Sequence, residues 1–417
     1  MKGMLVAVGC AILMFGIFLH TYSPQEQVSA KALDSPLLGP LALERKRFYD
    51  VVIPLAKQEG SVNLYSHAAS FPSFWKSVVI PQFERQYGIK VKFFNTKSDL
   101  ADRQLMSFHE LGHAPPADVY FAPHGHMGLY RQARLAGNAD LADLLPQAAA
   151  IPHAMFDELS PDGRFAPFHV NQTALAYDIA RLPAARMPRD FETLLEWSRA
   201  NPGAFALTSP KNGGSGEGFL IGVANHFMDD ACRRAFYDDA MSATDALRWV
   251  NNSACLDTTW DYLRALYPLA AITNGNAATQ NLIANHGATI GTVWEDLTFV
   301  FVKRKLQEPT VRLSMPESGM PASADALFVV AGAAHPAAAL LLIDFALSKP
   351  IQEWKLQQMG SRSPRDDIDE EGLPGQPSRN LLSVAQRRAV PRWPSSPVVA
   401  ALDNAFVKQV VEAGSSK

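Results

Sequence analysis

The chain has 417 residues, 47% of them hydrophobic, with 38 Lys and Arg against 41 Asp and Glu, for a net charge of −3. That length and apolar content imply two lobes rather than one core. The near balance of charge, without any basic block, excludes nucleic acid and an anionic membrane surface as expected partners.

At the N-terminus, Lys2 precedes an apolar run from Met4 to Leu19, a polar stretch, and then Val28, Ser29 and Ala30. This is the pattern of a secretory signal peptide over 1–30, cleaved after Ala30. The run is shorter than the ~20 residues that span a bilayer. Cys10 raises a lipid-anchored alternative, but Ala7, Val8 and Gly9 make a poor lipidation signal. Export places the mature chain in an oxidising compartment. Its two remaining cysteines, Cys232 and Cys255, are therefore expected to form a disulfide, the alternative being two buried free thiols.

From Leu41 to Gln58 the apolar spacing is helical, and Glu59-Gly60 supplies a stop. "SVNLYSHAAS" reads as a buried strand entering a polar turn, Phe74 to Tyr87 as a helix ended by Gly88, and "IKVKFFN" as a second strand. A strand, helix and strand of these lengths imply a right-handed crossover and a parallel sheet. The next helix runs from Asp99 to Gly112 and the next strand is "ADVYFAP".

That helix carries His109, Glu110 and His113 in the H-E-x-x-H spacing of a zinc peptidase. On one helical face two imidazoles could share Zn²⁺ while the glutamate deprotonates a bound water. The extended motif fails, because Pro116 and Val119 stand where Gly and His would be needed, and Glu158, the first distant carboxylate, sits in a turn. Solvated residues at a helix end fit better.

Further along, "GLYRQARLAG" reads as a helix and "FAPFHVNQTALAYDIARLP" as a long extended segment able to pass between two lobes. "PRDFETLLEWSRANPG" is a helix, "AFALTSP" a strand, and "KNGGSGEGFLIGVANHF" a glycine-rich turn entering a helix. The turn could cradle a phosphate, but it lacks the Lys-Ser/Thr of a nucleotide loop. Helices follow at Thr259 to Leu269 and Ala277 to His286, strands at "ATIGTVW" and "ADALFVVAG", and an apolar helix at Pro336 to Leu347. Asp366 to Arg379, acidic and then Pro/Gly/Ser-rich, reads as a surface excursion. The alternation is α/β throughout.

The order and spacing of "AKQEGSVNLYSHAAS", "PPADVYFAPHG", "VNQTALAYDIARLP", "GAFALTSPKNGGSG", "NLIANHGATIGTVWED" and "MPESGMPASADALFVVAGAAHPAAALLLIDFALSKPIQEW" resemble the bacterial extracellular solute-binding proteins of family 1. These are periplasmic receptors of ABC importers for polyamines, iron, thiamine and similar solutes. The resemblance implies a two-lobe periplasmic-binding-protein fold of type II, each lobe a mostly parallel sheet flanked by helices. Two hinge crossings would lie near Phe168 to Tyr177 and Val311 to Ser323. The N-lobe would take 31–170 and 312–360, the C-lobe 171–311, with the helices of 361–417 packed on it. No catalytic residue, cofactor or metal is implied. The partners would be a small-molecule ligand and an inner-membrane ABC permease with its ATPase, and the receptor would be a periplasmic monomer; a ligand sensor on the same fold is the other reading.

In such sheets ligands sit at the carboxyl ends of strands. Tyr65, Ser66 and His67 follow the first strand, and Pro123 and His124 follow "DVYFA". Ser209, Asn212, Gly213 and Gly214 follow "FALT", Trp294, Glu295 and Asp296 close "TIGTV", and Asp325 opens "ALFVV". Each also has a plainer reading, such as core filler for Trp294, a helix cap for Ser209 or a turn former for Asp325. An indole beside carboxylates could stack on and neutralise an organic cation. Asp325 falls where the polyamine-binding members place an amine-pairing carboxylate, although Leu297 replaces a second Asp of that pattern. His67, His124 and His126 would instead suit a metal or a phosphorylated solute.

Overall fold

The computed structural model describes residues 44–413, apart from 69, 153–161, 374–379, 384, 388 and 389. The signal peptide, its cleavage site, the start of the expected first helix and Glu158 lie outside the described residues.

The chain enters as α1 (Phe48–Glu59), which Gly60 ends in a left-handed turn at φ 72° that a side chain would disfavour. It continues as β1 (Ser61–Ser66), a helical run through Trp75–Val79 into α2 (Ile80–Tyr87), β2 (Lys90–Asn95), α3 (Ser98–Glu110) and β3 (Val119–Ala122). β1 lies between β2 and β3 and runs parallel to both, as the crossover pattern requires. A short α4 (Met127–Gln132) follows.

The thirteen-residue β4 (Ala166–Asp178) then leaves this sheet. Its first half pairs with the late strand β9 (Ala322–Val329), antiparallel, through Gln172. From Thr173 onward it pairs with β7 (Ile290–Trp294) and β8 (Val311–Ser314) in a second sheet. That second sheet has its own parallel part, in which β5 (Phe205–Thr208) lies between β6 (Ala270–Thr273) and β7. Each lobe thus has three parallel strands, continued by antiparallel strands that carry the chain across. The two crossings are laced together: Gln172 Nε2 donates to the carbonyls of Met320 and Pro321 at 2.6 and 3.2 Å, and Thr173 Oγ1 donates to Pro321 O at 2.7 Å.

Helices of the second lobe are α5 (Phe191–Ala200), α6 (Gly214–Phe227), α7 (Asp230–Phe236), α8 (Ala243–Asn252), α9 (Asp257–Leu266), α10 (Asn276–Ala284) and α11 (Glu295–Lys303). After β9 the chain forms α12 (Pro336–Ala346) and α13 (Lys349–Met359), and finally α14 (Ser396–Phe406). α12 is apolar apart from Asp344 because it is buried along nearly all its length, in one core with α1, Trp75 and Phe168. The Glu59 carboxylate accepts from the free N–H groups of Ala337 and Ala338 at its start, at 3.1 and 2.7 Å. α14 packs against α8 in the other core, the cluster that holds Val398, Leu402, Phe406 and Val250.

Cys232 and Cys255 are bonded, with Cα atoms 5.6 Å apart, fastening α7 to the turn before α9. Closing a loop of 23 residues stabilises by about 3 kcal/mol through the unfolded chain. Reduction is expected to lower the unfolding free energy by about that amount, read as a lower denaturation midpoint, without altering the native spectrum; an unchanged midpoint would contradict it.

Candidate functional site

The loops at the strand ends of both lobes enclose a cavity of about 1470 Å³. Asp325 on β9 forms its floor. One carboxylate oxygen accepts from the backbone N–H and Nδ1 of His124, at 2.8 and 2.9 Å, and the other lies 3.2 Å from Nε2 of His67. Burial opposes ionisation of Asp325, but the charge of His67 and the hydrogen bonds from both imidazoles outweigh it. They hold the carboxyl well below the usual range. On the neighbouring strand His169 pairs in register with Asp325. Burial pushes this imidazole down to about 3, so it is neutral. Its Nδ1 shares a hydrogen bond with Ser361 Oγ at 2.6 Å.

The opposite wall starts at Trp294, the last residue of β7. Its indole is stacked on Trp393 at 5.8 Å between ring centres and 14° between planes, and the His124 ring stands edge-on to both. Asp296, two residues on, accepts from Asn171 Nδ2 of β4 at 2.7 Å, and burial raises it to about 6. α6 presses close behind Trp294. A Cβ at Gly214 would lie 2.8 Å from the indole, and one at Gly216 would lie 1.9 Å from the carbonyl oxygen of Thr208. The glycine run is therefore a packing requirement of helix on strand end, a different reason from a phosphate cradle. Glu217 and Asp403 complete this side, raised by burial to about 8 and about 6.

A carboxyl whose folded pKa exceeds its unfolded value binds more protons when folded. Its contribution to stability is full below the unfolded value and is lost as pH rises through the folded one. For Glu217 that window runs from 4.5 to about 8. Above 6.5 the neutral His169 no longer opposes this trend. The ligand-free protein is expected to lose on the order of 1–2 kcal/mol between pH 6.5 and 8, and Glu217→Gln to flatten that slope. Equal slopes in thermal melts of the two proteins would contradict the assignment.

Of the residues expected at the strand ends, His67, Pro123, His124, Gly214, Trp294, Asp296 and Asp325 line the cavity, as does His126. The others do not. Tyr65 turns to the far face and donates to Gln104 at 3.2 Å, while Ser66 is wholly buried in β1. Ser209 is tied through its N–H to Thr273 O, Asn212 faces solvent, and Gly213 is wedged between Thr208 and Asn276. Glu295 points away from the cavity into a buried pair with Arg362, both contacts at 2.6 Å. Sequence reasoning missed His169 and Asn171, which the two-residue period of "HVN" places on one face of β4. It also missed Glu217, and Trp393, Ser396 and Asp403, whose Pro-rich context carries no such signal.

The zinc spelling does not produce zinc geometry. α3 ends at Glu110 and Gly112 turns at φ 66°, so His113 leaves the helix face that holds His109. Among the described residues no group of three His, Cys, Asp or Glu is placed to hold a metal ion.

A family model described as bacterial extracellular solute-binding protein matches residues 79–377. The chain belongs to that family. This solute-binding protein also shares its fold with solved structures, at low sequence identity. The spermidine/putrescine ABC transporter substrate-binding protein PotD from Streptococcus pneumoniae superposes with a TM-score of 0.63 at 13% identity, covering 84% of this chain and 99% of that one. Iron-bound HitA from Pseudomonas aeruginosa gives 0.60 at 17% identity, with 83% and 98% covered. An ABC transporter protein from Clostridium perfringens gives 0.61 at 14%, with 84% and 99% covered. Sequence comparison with curated proteins gives no match.

Proposed function

We propose that this solute-binding protein is the periplasmic receptor of an ABC importer. It traps a small organic cation between its lobes and delivers it to an inner-membrane permease driven by its ATPase. It acts as a monomer and performs no bond chemistry. The observation that carries this reading is the composition of the interlobe cavity. Asp325 from the N-terminal lobe and Asp296, Glu217 and Asp403 from the other side line it beside two indoles, four carboxyl groups against the two cations Lys303 and Arg304. Carboxylates supply charge and indole faces supply a surface for a cation. The spermidine/putrescine and ABC transporter descriptions of similar structures support the same class.

A ligand that touches both lobes stabilises the closed arrangement by its differential affinity for it, which is how occupancy would be signalled to the permease. The test is a thermal-shift screen of polyamines, thiamine, quaternary amines, phosphorylated solutes and metal ions. A ligand at one hundred times its Kd adds about 2.7 kcal/mol to stability. An organic cation is expected to raise the melting temperature. A shift produced only by anions or metal ions would overturn the cation reading.

A further inference from the structure

We propose that the C-terminal segment completes the solute site, with Ser396 and Asp403 of α14 and Glu217 of α6 forming a subsite for a protonated primary amine. The proposal rests on the reading of the cavity as a solute site and specifies what one end of it holds.

Both carboxyl groups line the cavity, as does Ser396. Asp403 Oδ1 and Ser396 Oγ are buried and bond to nothing among the described residues. Of the buried side-chain polar atoms left unpaired among the described residues, only these two belong to residues that line the cavity, and since such atoms are rarely left unpaired they mark a place where a partner is missing. The charges that face these groups are few. Glu217 feels only the charge of Asp403, which repels it. Asp403 feels Lys211, an exposed side chain that makes no ion pair with it among the described residues. Lys303 and Arg304 line the same cavity, but among the described residues no cation is paired with Glu217.

An ammonium group has three donors and no acceptor, which matches two carboxylates and a hydroxyl oxygen. The neighbouring wall is made of Gly214, Val399 and the indoles of Trp294 and Trp393, which suits the alkyl stem of such an amine rather than a second charged group. Burial keeps Glu217 and Asp403 protonated to higher pH than usual while the subsite is empty. Entry of an ammonium favours their ionised forms, so binding near neutral pH must expel a proton to solvent. Ser396, Asp403 and Trp393 lie beyond residue 377, where the family match ends, while Glu217 lies within it.

The experiment is isothermal titration of the full mature chain with putrescine and spermidine, at pH 7 in buffers of different ionisation heat. Wild-type protein, Asp403→Asn and Glu217→Gln are compared, with thermal melts confirming that each variant folds. Expected are a loss of at least tenfold in affinity in each variant, and proton release in the wild type that Glu217→Gln diminishes. Wild-type amine binding that both variants retain, with an enthalpy independent of buffer, would overturn the subsite alone. Absence of amine binding to the wild type would overturn the subsite together with the cation reading above.

Discussion

Arg362→Met is expected to cost about 3–5 kcal/mol of folding stability, because it leaves a buried carboxylate without its counter-ion. Arg362 is 3% exposed and Glu295 wholly buried. The guanidinium donates to both oxygens of Glu295 at 2.6 Å, to Leu382 O at 2.5 Å and to Glu370. Glu295 also accepts from the backbone of Leu382 at 2.6 Å. This pair ties the start of α11 to the chain that returns after α13, and Glu295 stands between Trp294 and Asp296. Its loss therefore loosens the cavity wall as well as the fold. Urea unfolding should show a lower midpoint. Arg362→Met combined with Glu295→Leu should recover part of the loss, since exchanging a whole buried pair for apolar side chains is far cheaper than halving it. A single-variant loss under about 1 kcal/mol would show that the pair is not buried in solution.

Asp325→Asn should weaken solute binding on the order of 100-fold and, because the ionised carboxylate also stabilises the fold, lower the melting temperature without preventing folding. The replacement keeps the shape and removes the charge. In the native protein the carboxylate is held ionised against its burial by His67 and His124, and it also fixes the His124 ring against Trp294 and Trp393. Truncating one partner of a buried, hydrogen-bonded charge pair costs about 2–5 kcal/mol at an interface, mostly as faster dissociation. Calorimetric titration with the best cation from the thermal screen measures it. An affinity within threefold of wild type would remove Asp325 from the site.

The fold was legible wherever local chemistry and tertiary need coincide. Gly60 and Gly88 end helices in left-handed turns, as read, and the extended run through "HVNQTALAYD" became β4. The missed pieces had little local signal. β6 is four residues long and partly exposed, β8 is equally short, and α11 begins on carboxylates whose roles depend on distant Arg362 and Asn171.

The site was legible by strand end and less so by residue. His67, His124, Trp294, Asp296 and Asp325 emerge where parallel strands stop, which sequence can locate. Glu295 was misplaced because a helix start sends successive side chains about 100° apart. One of two adjacent carboxylates must then face inward, and only the position of Arg362 decides which. The wall supplied by Trp393, Ser396 and Asp403 was not legible, because more than 60 residues separate it from Asp325 and only the packing of α14 on α8 brings it there.

The central claim is that two lobes joined by β4 and the β8–β9 connection close on a small solute. Small-angle X-ray scattering of the protein with and without a saturating cation from the thermal screen tests it most directly. A smaller radius of gyration on binding is the predicted result. An identical scattering curve, at a concentration where calorimetry shows the site filled, would contradict it.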